Sequence, residues 1–108
     1  MVTEVKNWQD AQQNCIEMGA RLMEIRTQEE FETASRFNDE MGTDFFLGGI
    51  KAEGNWVWNS NEEEIDELNE FWGSGRPVDH PTRHCIDVFN GMLDSNCFRL
   101  RKSVCQYN

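Results

Sequence analysis

The sequence predicts an α+β domain, two helices followed by a set of short β-strands, and three observations lead there. Apolar residues recur at helical spacing up to Met41. After Gly42 the texture changes to short apolar pieces punctuated by Gly and Asn. Four cysteines, at positions 15, 85, 97 and 105, can close the chain twice.

Asn7 caps a first helix, Trp8 to Met18, whose apolar positions Trp8, Ala11, Cys15 and Met18 share one face; Gly19 follows, where a left-handed conformation is cheap. Leu22, Met23 and Ile25 form a short strand-like stretch. Thr27 with Glu30 makes a capping box that opens a second helix through about Met41, with Phe31, Ala34 and Phe37 facing inward. Strands are expected at Phe45 to Ile50, Trp56 to Trp58, His84 to Phe89 and Ser103 to Gln106. Trp56 and Trp58 alternate on a strand and point to one face; with Phe71 and Trp72 they supply large apolar areas to a small core. Asn59 to Arg83 is long, polar and aperiodic, more than a compact domain normally tolerates without a function, so binding is expected there.

At 108 residues the chain is expected to form one domain over 1–108. Its longest apolar runs, such as Phe45-Phe46-Leu47, fall far short of the roughly 20 residues that span a bilayer, so no membrane insertion is expected. The formal charge of −10 argues against nucleic acid or anionic membrane as a partner. That charge is uneven. Glu62, Glu63, Glu64, Asp66, Glu67 and Glu70 crowd one segment, whereas Arg76, Arg83, Arg99, Arg101 and Lys102 are half of the ten basic side chains.

Four cysteines allow three pairings, and sequence alone does not choose among them. The nested arrangement, Cys15–Cys105 with Cys85–Cys97, staples the first helix to the last strand and clamps a local loop; it is the expectation adopted. No Cys-x-x-Cys pair points to zinc instead. Persistent disulfides need an oxidising compartment, so a secreted protein or extracellular domain is expected, with any leader removed before Met1.

Read in order, Trp8-x-x-Ala11-x-x-x-Cys15-x-x-x-Gly19-Ala20-x-Leu22, Phe46-Leu47-Gly48-Gly49, Gly54-x-Trp56-x-Trp58, Phe71-Trp72-x-x-Gly75-x-Pro77, Cys85, Leu93-Asp94-x-x-Cys97 and Val104-Cys105 resemble the C-type lectin-like domain over essentially the whole chain. The resemblance implies two helices packed on two small, mostly antiparallel sheets with a long loop region and two disulfides. Phe46-Leu47-Gly48-Gly49 departs from the family's Trp-Ile-Gly-Leu at two positions, and only Val2 to Val5 remain of the strand before the first helix. The resemblance also implies that Pro77 is a cis proline shaping the long loop.

Sugar-binding members of that family hold one calcium ion with a Glu-Pro-Asn or Gln-Pro-Asp loop, a Glu just before the third cysteine, and an Asn-Asp pair before the fourth. The corresponding residues here are Arg76-Pro77-Val78, Arg83 and Leu93-Asp94, of which Asp94 alone keeps a calcium-type ligand. Guanidinium groups both remove oxygen donors and repel a cation, so no calcium cofactor is expected.

The leading expectation is therefore a module that binds an extracellular protein or glycan ligand without calcium, with Arg76, Pro77, Val78, Asp79, His80, Arg83 and Asp94 as candidate ligand-binding residues. Arg76, His80, Arg83 and His84 would give the loop a donor-rich face suited to carboxylate, sulfate or phosphate. In a competing reading, these arginines pair with Glu62 to Glu70 and hold the loop shut. A second expectation places zinc at His80 and His84, with Asp79 and Asp87 near in sequence, although Pro81 forbids assuming one helical face. An alternative is a calcium-independent lectin that takes carbohydrate or microbial cell-wall glycans through Asn59, Asn61, Asn69 and Phe71. An enzyme is not expected, because all four cysteines are committed to bridges and no serine sits in a nucleophile turn. Related domains often form homodimers, so one is allowed, but no residue marks the interface.

Overall fold

The computed structural model describes residues 2–107. The order of elements is β1 (Val2–Lys6), α1 (Trp8–Glu17), β2 (Ala20–Leu22), α2 (Gln28–Met41), β3 (Phe45–Ala52), β4 (Asn55–Trp58), β5 (Cys85–Val88), β6 (Met92–Ser95), β7 (Arg101–Ser103) and β8 (Cys105–Tyr107).

The helix ends follow the local chemistry. Asn7 Oδ1 accepts the Asp10 amide at 2.8 Å, and α1 stops one residue earlier than expected, with Met18 as its cap and Gly19 at φ +74°. In α2 the Thr27–Glu30 capping box is complete, and Gly42 closes the helix at φ +70°. Ala34 is fully buried, with Phe31 and Phe37 packed half-buried beside the core. Asn38 is buried as well. Its amide nitrogen donates to the Thr43 and Val88 carbonyls, tying the end of α2 to β5.

Six strands make the larger sheet in the order β1-β7-β3-β5-β6, with β4 also on β3; every pair is antiparallel except β3 with β7. A second sheet pairs β2 with β8. Phe45, Leu47, Ile86, Val88 and Met92 join Trp56, Trp58, Phe71 and Trp72 in the main core. Trp56 meets Trp72 edge to face at 5.5 Å. The paired tryptophans are therefore core, as their alternation predicts. Gly49 sits where chains touch: a Cβ there would lie 2.4 Å from Ile86 Cδ1. The disulfides are Cys15–Cys105 and Cys85–Cys97, the nested pairing.

Two strand expectations need correction. The stretch Leu22 to Ile25 is a strand only from Ala20 to Leu22, although Met23 still bonds the Val104 carbonyl through its amide and Gly48 through its oxygen. Ser103 to Gln106 is two strands, because Val104 crosses from the large sheet to the small one with its side chain in the core. Met92 to Ser95, which the sequence reading assigns to no element, is β6; it lies between buried surfaces and so lacks the alternation that marks a half-exposed strand.

Candidate recognition surface

The long segment between β4 and β5 divides into a fixed half and a shaped half. In the first, Ile65 is buried and its amide donates to Trp56 O, Phe71 stacks on Phe31 at 5.3 Å, and Trp72 Nε1 donates to Asp66 O. Phe71 is therefore closed to ligand, which corrects its expected role at the surface. The side-chain oxygens of Asn61 and Asn69 are also engaged, with the Glu63 and Phe71 amides respectively, while Asn59 stays exposed.

The shaped half is organised around one carboxylate. Asp94, on β6, has a wholly buried side chain. Its oxygens accept the Val78 amide at 2.9 Å and the Asp79 amide at 3.1 Å, and Arg76 Nη1 lies 3.6 Å away. Three consecutive features turn the backbone around it: Gly75 at φ +74°, the cis Arg76–Pro77 bond, and Asp79 at φ +62°. The sequence thus converges Arg76, Pro77, Val78, Asp79 and Asp94 on one spot.

Asp79 turns its own carboxylate elsewhere, accepting Lys51 Nζ at 3.2 Å and Trp56 Nε1 at 3.3 Å. Burial works to raise its pKa, but those two donors outweigh it and hold the carboxyl below the ordinary value. Nearby Glu67 is pushed the other way, chiefly by the charge of Asp79.

The remaining candidates stay apart from this spot. His80 and His84 are exposed and Arg83 is half-buried. His80 Nδ1 is held by Thr82, whose hydroxyl lies 2.9 Å away and whose amide points to it at 3.2 Å. Neither Arg76 nor Arg83 pairs with Glu62 to Glu70 among the described residues, which corrects the expectation that they close the loop on that run. The arginine that does reach it is Arg26, 3.5 Å from Glu63. Asp87 is not a neighbour for the histidines either; it is buried in the sheet, facing Asp44 and Arg101. Among the described residues no group of three or more His, Cys, Asp or Glu side chains is gathered as a metal would require.

Two buried carboxylates escape sequence reasoning. Glu24 is almost fully enclosed and accepts from Ser60 Oγ at 3.0 Å and from the Arg26 guanidinium, which also lies over the Trp58 ring. Among the described residues neither oxygen of Asp87 has a hydrogen-bond partner, and Arg101 stands 3.5 Å from it while bonding Asp44 at 2.9 Å. Burial above all, with Asp44 beside it, pushes Asp87 up to about 8.

Comparison with known proteins fits this architecture. The family profile described as Lectin C-type domain matches residues 4–107. The human protein "C-type lectin domain family 4 member A" is 32% identical over 96% of this chain and 46% of its own length. The chain spans about half the length of these curated relatives, 46% of one and 53% of another, the human "C-type lectin domain family 6 member A". Among solved structures, TC14, a C-type lectin from the tunicate Polyandrocarpa misakiensis, superposes with a TM-score of 0.84 at 20% identity, covering 94% of this chain and 89% of that one. The C-type lectin domain of murine dendritic cell inhibitory receptor 2, solved in complex with N-glycan, gives a TM-score of 0.76 at 23% identity, covering 94% and 82%.

Proposed function

Since this chain belongs to the C-type lectin domain family, we propose that it serves as an extracellular recognition module whose protein or glycan ligand is bound without calcium at the long loop. Domains of this family bind rather than react.

The observation that carries this reading is the state of Asp94. Calcium takes six to eight oxygen ligands. At the positions where sugar-binding members supply them, this chain has Arg76, Val78, Arg83 and Leu93, and the one carboxylate, Asp94, already has two backbone amides and a guanidinium. The residues present do not fit the ion. Arg76 supplies the positive charge itself, and the loop is shaped by protein donors instead of a bound metal. The surface left for ligand runs from Val78 through His80, Arg83 and His84, an apolar contact ringed by hydrogen-bond donors. His80 and His84 lack a third metal-ligating neighbour among the described residues, so zinc plays no part in this reading.

Whether that surface takes a protein or a sugar is decided by experiment. The murine receptor's complex with N-glycan favours testing sugars first. A glycan array is read with and without a chelator. Signal that survives chelation and is lost in Arg83→Glu supports a calcium-independent lectin. Signal abolished by chelation contradicts the reading. Calorimetry supplies the direct check: no heat on calcium addition is expected, and a saturable heat that disappears in Asp94→Asn would refute the proposal.

A further inference from the structure

Register separates the two faces of the β3–β4 hairpin. Gly49 pairs with Trp58 and Lys51 with Trp56 on the face turned toward the core and the long loop, where Lys51 holds Asp79. Ile50 pairs with Val57 and Ala52 with Asn55 on the opposite face. That second face floors a cleft of about 420 Å³ which shares no lining residue with the Asp94 loop.

The chemistry of the cleft is specific. Its floor is aliphatic, from half-buried Ile50, Ala52 and Val57. Its rim carries Glu53 and Glu62, both exposed, and neither forms an ion pair among the described residues. Asn55 and Asn59 add amide groups between them, and no cation among the described residues lines the cleft. Both glutamates hold a left-handed backbone, φ +51° and +59°. Glu53 does so in the two-residue turn Glu53-Gly54, where Asn, Asp or Gly is the ordinary choice. Glu62 is fixed by its amide, which donates to Trp58 O at 2.8 Å. The two carboxylates therefore leave from ordered backbone at the border of an apolar strip.

We propose that this cleft docks an extended segment of a partner protein in which Lys or Arg flanks an aliphatic residue. The aliphatic side chain covers Ile50 and Val57, and the cation meets Glu53 or Glu62. Charge selects this occupant. A second copy of the same face would set glutamates against glutamates in a chain of net charge −10, and an anionic membrane is repelled in the same way. A neutral sugar finds no aromatic ring to stack on in this cleft. Attraction between exposed charges is screened, so salt weakens the complex while the aliphatic contact persists.

The test is an amide NMR titration of the whole chain with three synthetic peptides: Arg-Leu-Val-Arg, its acidic counterpart Glu-Leu-Val-Glu, and its polar counterpart Arg-Ser-Ser-Arg. The first is expected to shift the amides of Ile50, Ala52 and Val57 and to bind about tenfold tighter than the others. Glu53→Gln with Glu62→Gln is expected to cost about tenfold, and Val57→Lys to abolish the shifts. The rim pair is exposed, so its replacement leaves the hairpin folded even if Val57→Lys does not. Asp94→Asn is expected to leave this binding unchanged, which keeps the test separate from the long-loop reading. An equal response to all three peptides, shifts confined to the long loop, or full affinity in the double glutamine variant would overturn the proposal.

Discussion

Arg76 and Asp94 form an ion pair, 3.6 Å apart, in which the Asp94 side chain is wholly enclosed and the Arg76 side chain keeps 32% of its surface. Breaking a buried pair by removing one partner costs about 3–5 kcal/mol, because the charge left behind has no counter-charge. Arg76 is partly solvated and Asp94 keeps two amide donors, so Arg76→Ala is expected to lose less, about 2 kcal/mol. Urea unfolding of Arg76→Ala, Asp94→Asn and the double variant measures the coupling. A double variant as unstable as the sum of the singles would show that the pair contributes nothing.

If Arg76 occupies the role of the ion, exchanging the cationic residues for oxygen donors should readmit it. Arg76→Glu, Val78→Asn, Arg83→Glu and Leu93→Asn together restore oxygen donors at the positions where sugar-binding members carry them, toward calcium's requirement of six to eight. Calorimetry is expected to register calcium binding in this variant and none in the parent. A silent variant that is still folded would mean that the loop backbone, and not its side chains, excludes the ion.

The enclosed Glu24 depends on Arg26 in the same way. Arg26 contacts Glu24, donates to Asn61 Oδ1 at 3.0 Å, and lies 5.7 Å from the centre of the Trp58 ring, so it joins α2's approach to the long segment. Arg26→Ala is expected to destabilise by about 3 kcal/mol. Arg26→Lys should recover less than half, since a point charge cannot serve a carboxylate, an amide oxygen and a ring face together. Thermal unfolding of both variants decides it; equal stability of the lysine variant and the parent would remove the forked geometry from the account.

What was legible in the sequence is what is local. Asn7 with Asp10 and Thr27 with Glu30 act over three residues, so both helix starts are written in plain view. The order of aromatic, glycine and cysteine positions carried the fold through resemblance, and the structure has the same nested bridges. Burial of charge was not legible. Nothing near Asp87 in the chain marks it, because its surroundings come from Asp44 and Arg101; Glu24 has Arg26 two residues on, but the Ser60 hydroxyl that helps enclose it comes from far along the chain. Arg76 is conspicuous in the sequence as a substitution, and the competing reading pairs it with the glutamate run close by; folding brings β6 to it instead.

Asp87 provides a prediction with a definite sign. Its folded pKa of about 8 stands above the ordinary 3.8. Between those values the folded chain holds a proton that the unfolded chain releases, so this group lowers stability as pH rises through the window and does nothing further above it. The slope is about 1.4 kcal/mol per pH unit for a single group. Asp44 works oppositely: burial pushes its pKa up, but the Asp87 and Thr43 side chains beside it and the charge of Arg101 outweigh that and leave it lowered, so its contribution is present above 3.8 and lost on acidification. Asp87→Asn keeps the shape and removes the ionisation, leaving the Arg101–Asp44 bond in place. The variant is expected to match the parent near the acidic end of the window and to exceed it by several kcal/mol above about pH 8. Denaturant midpoints across that range measure the difference, and parallel curves for parent and variant would mean that Asp87 is ionised in the fold at neutral pH.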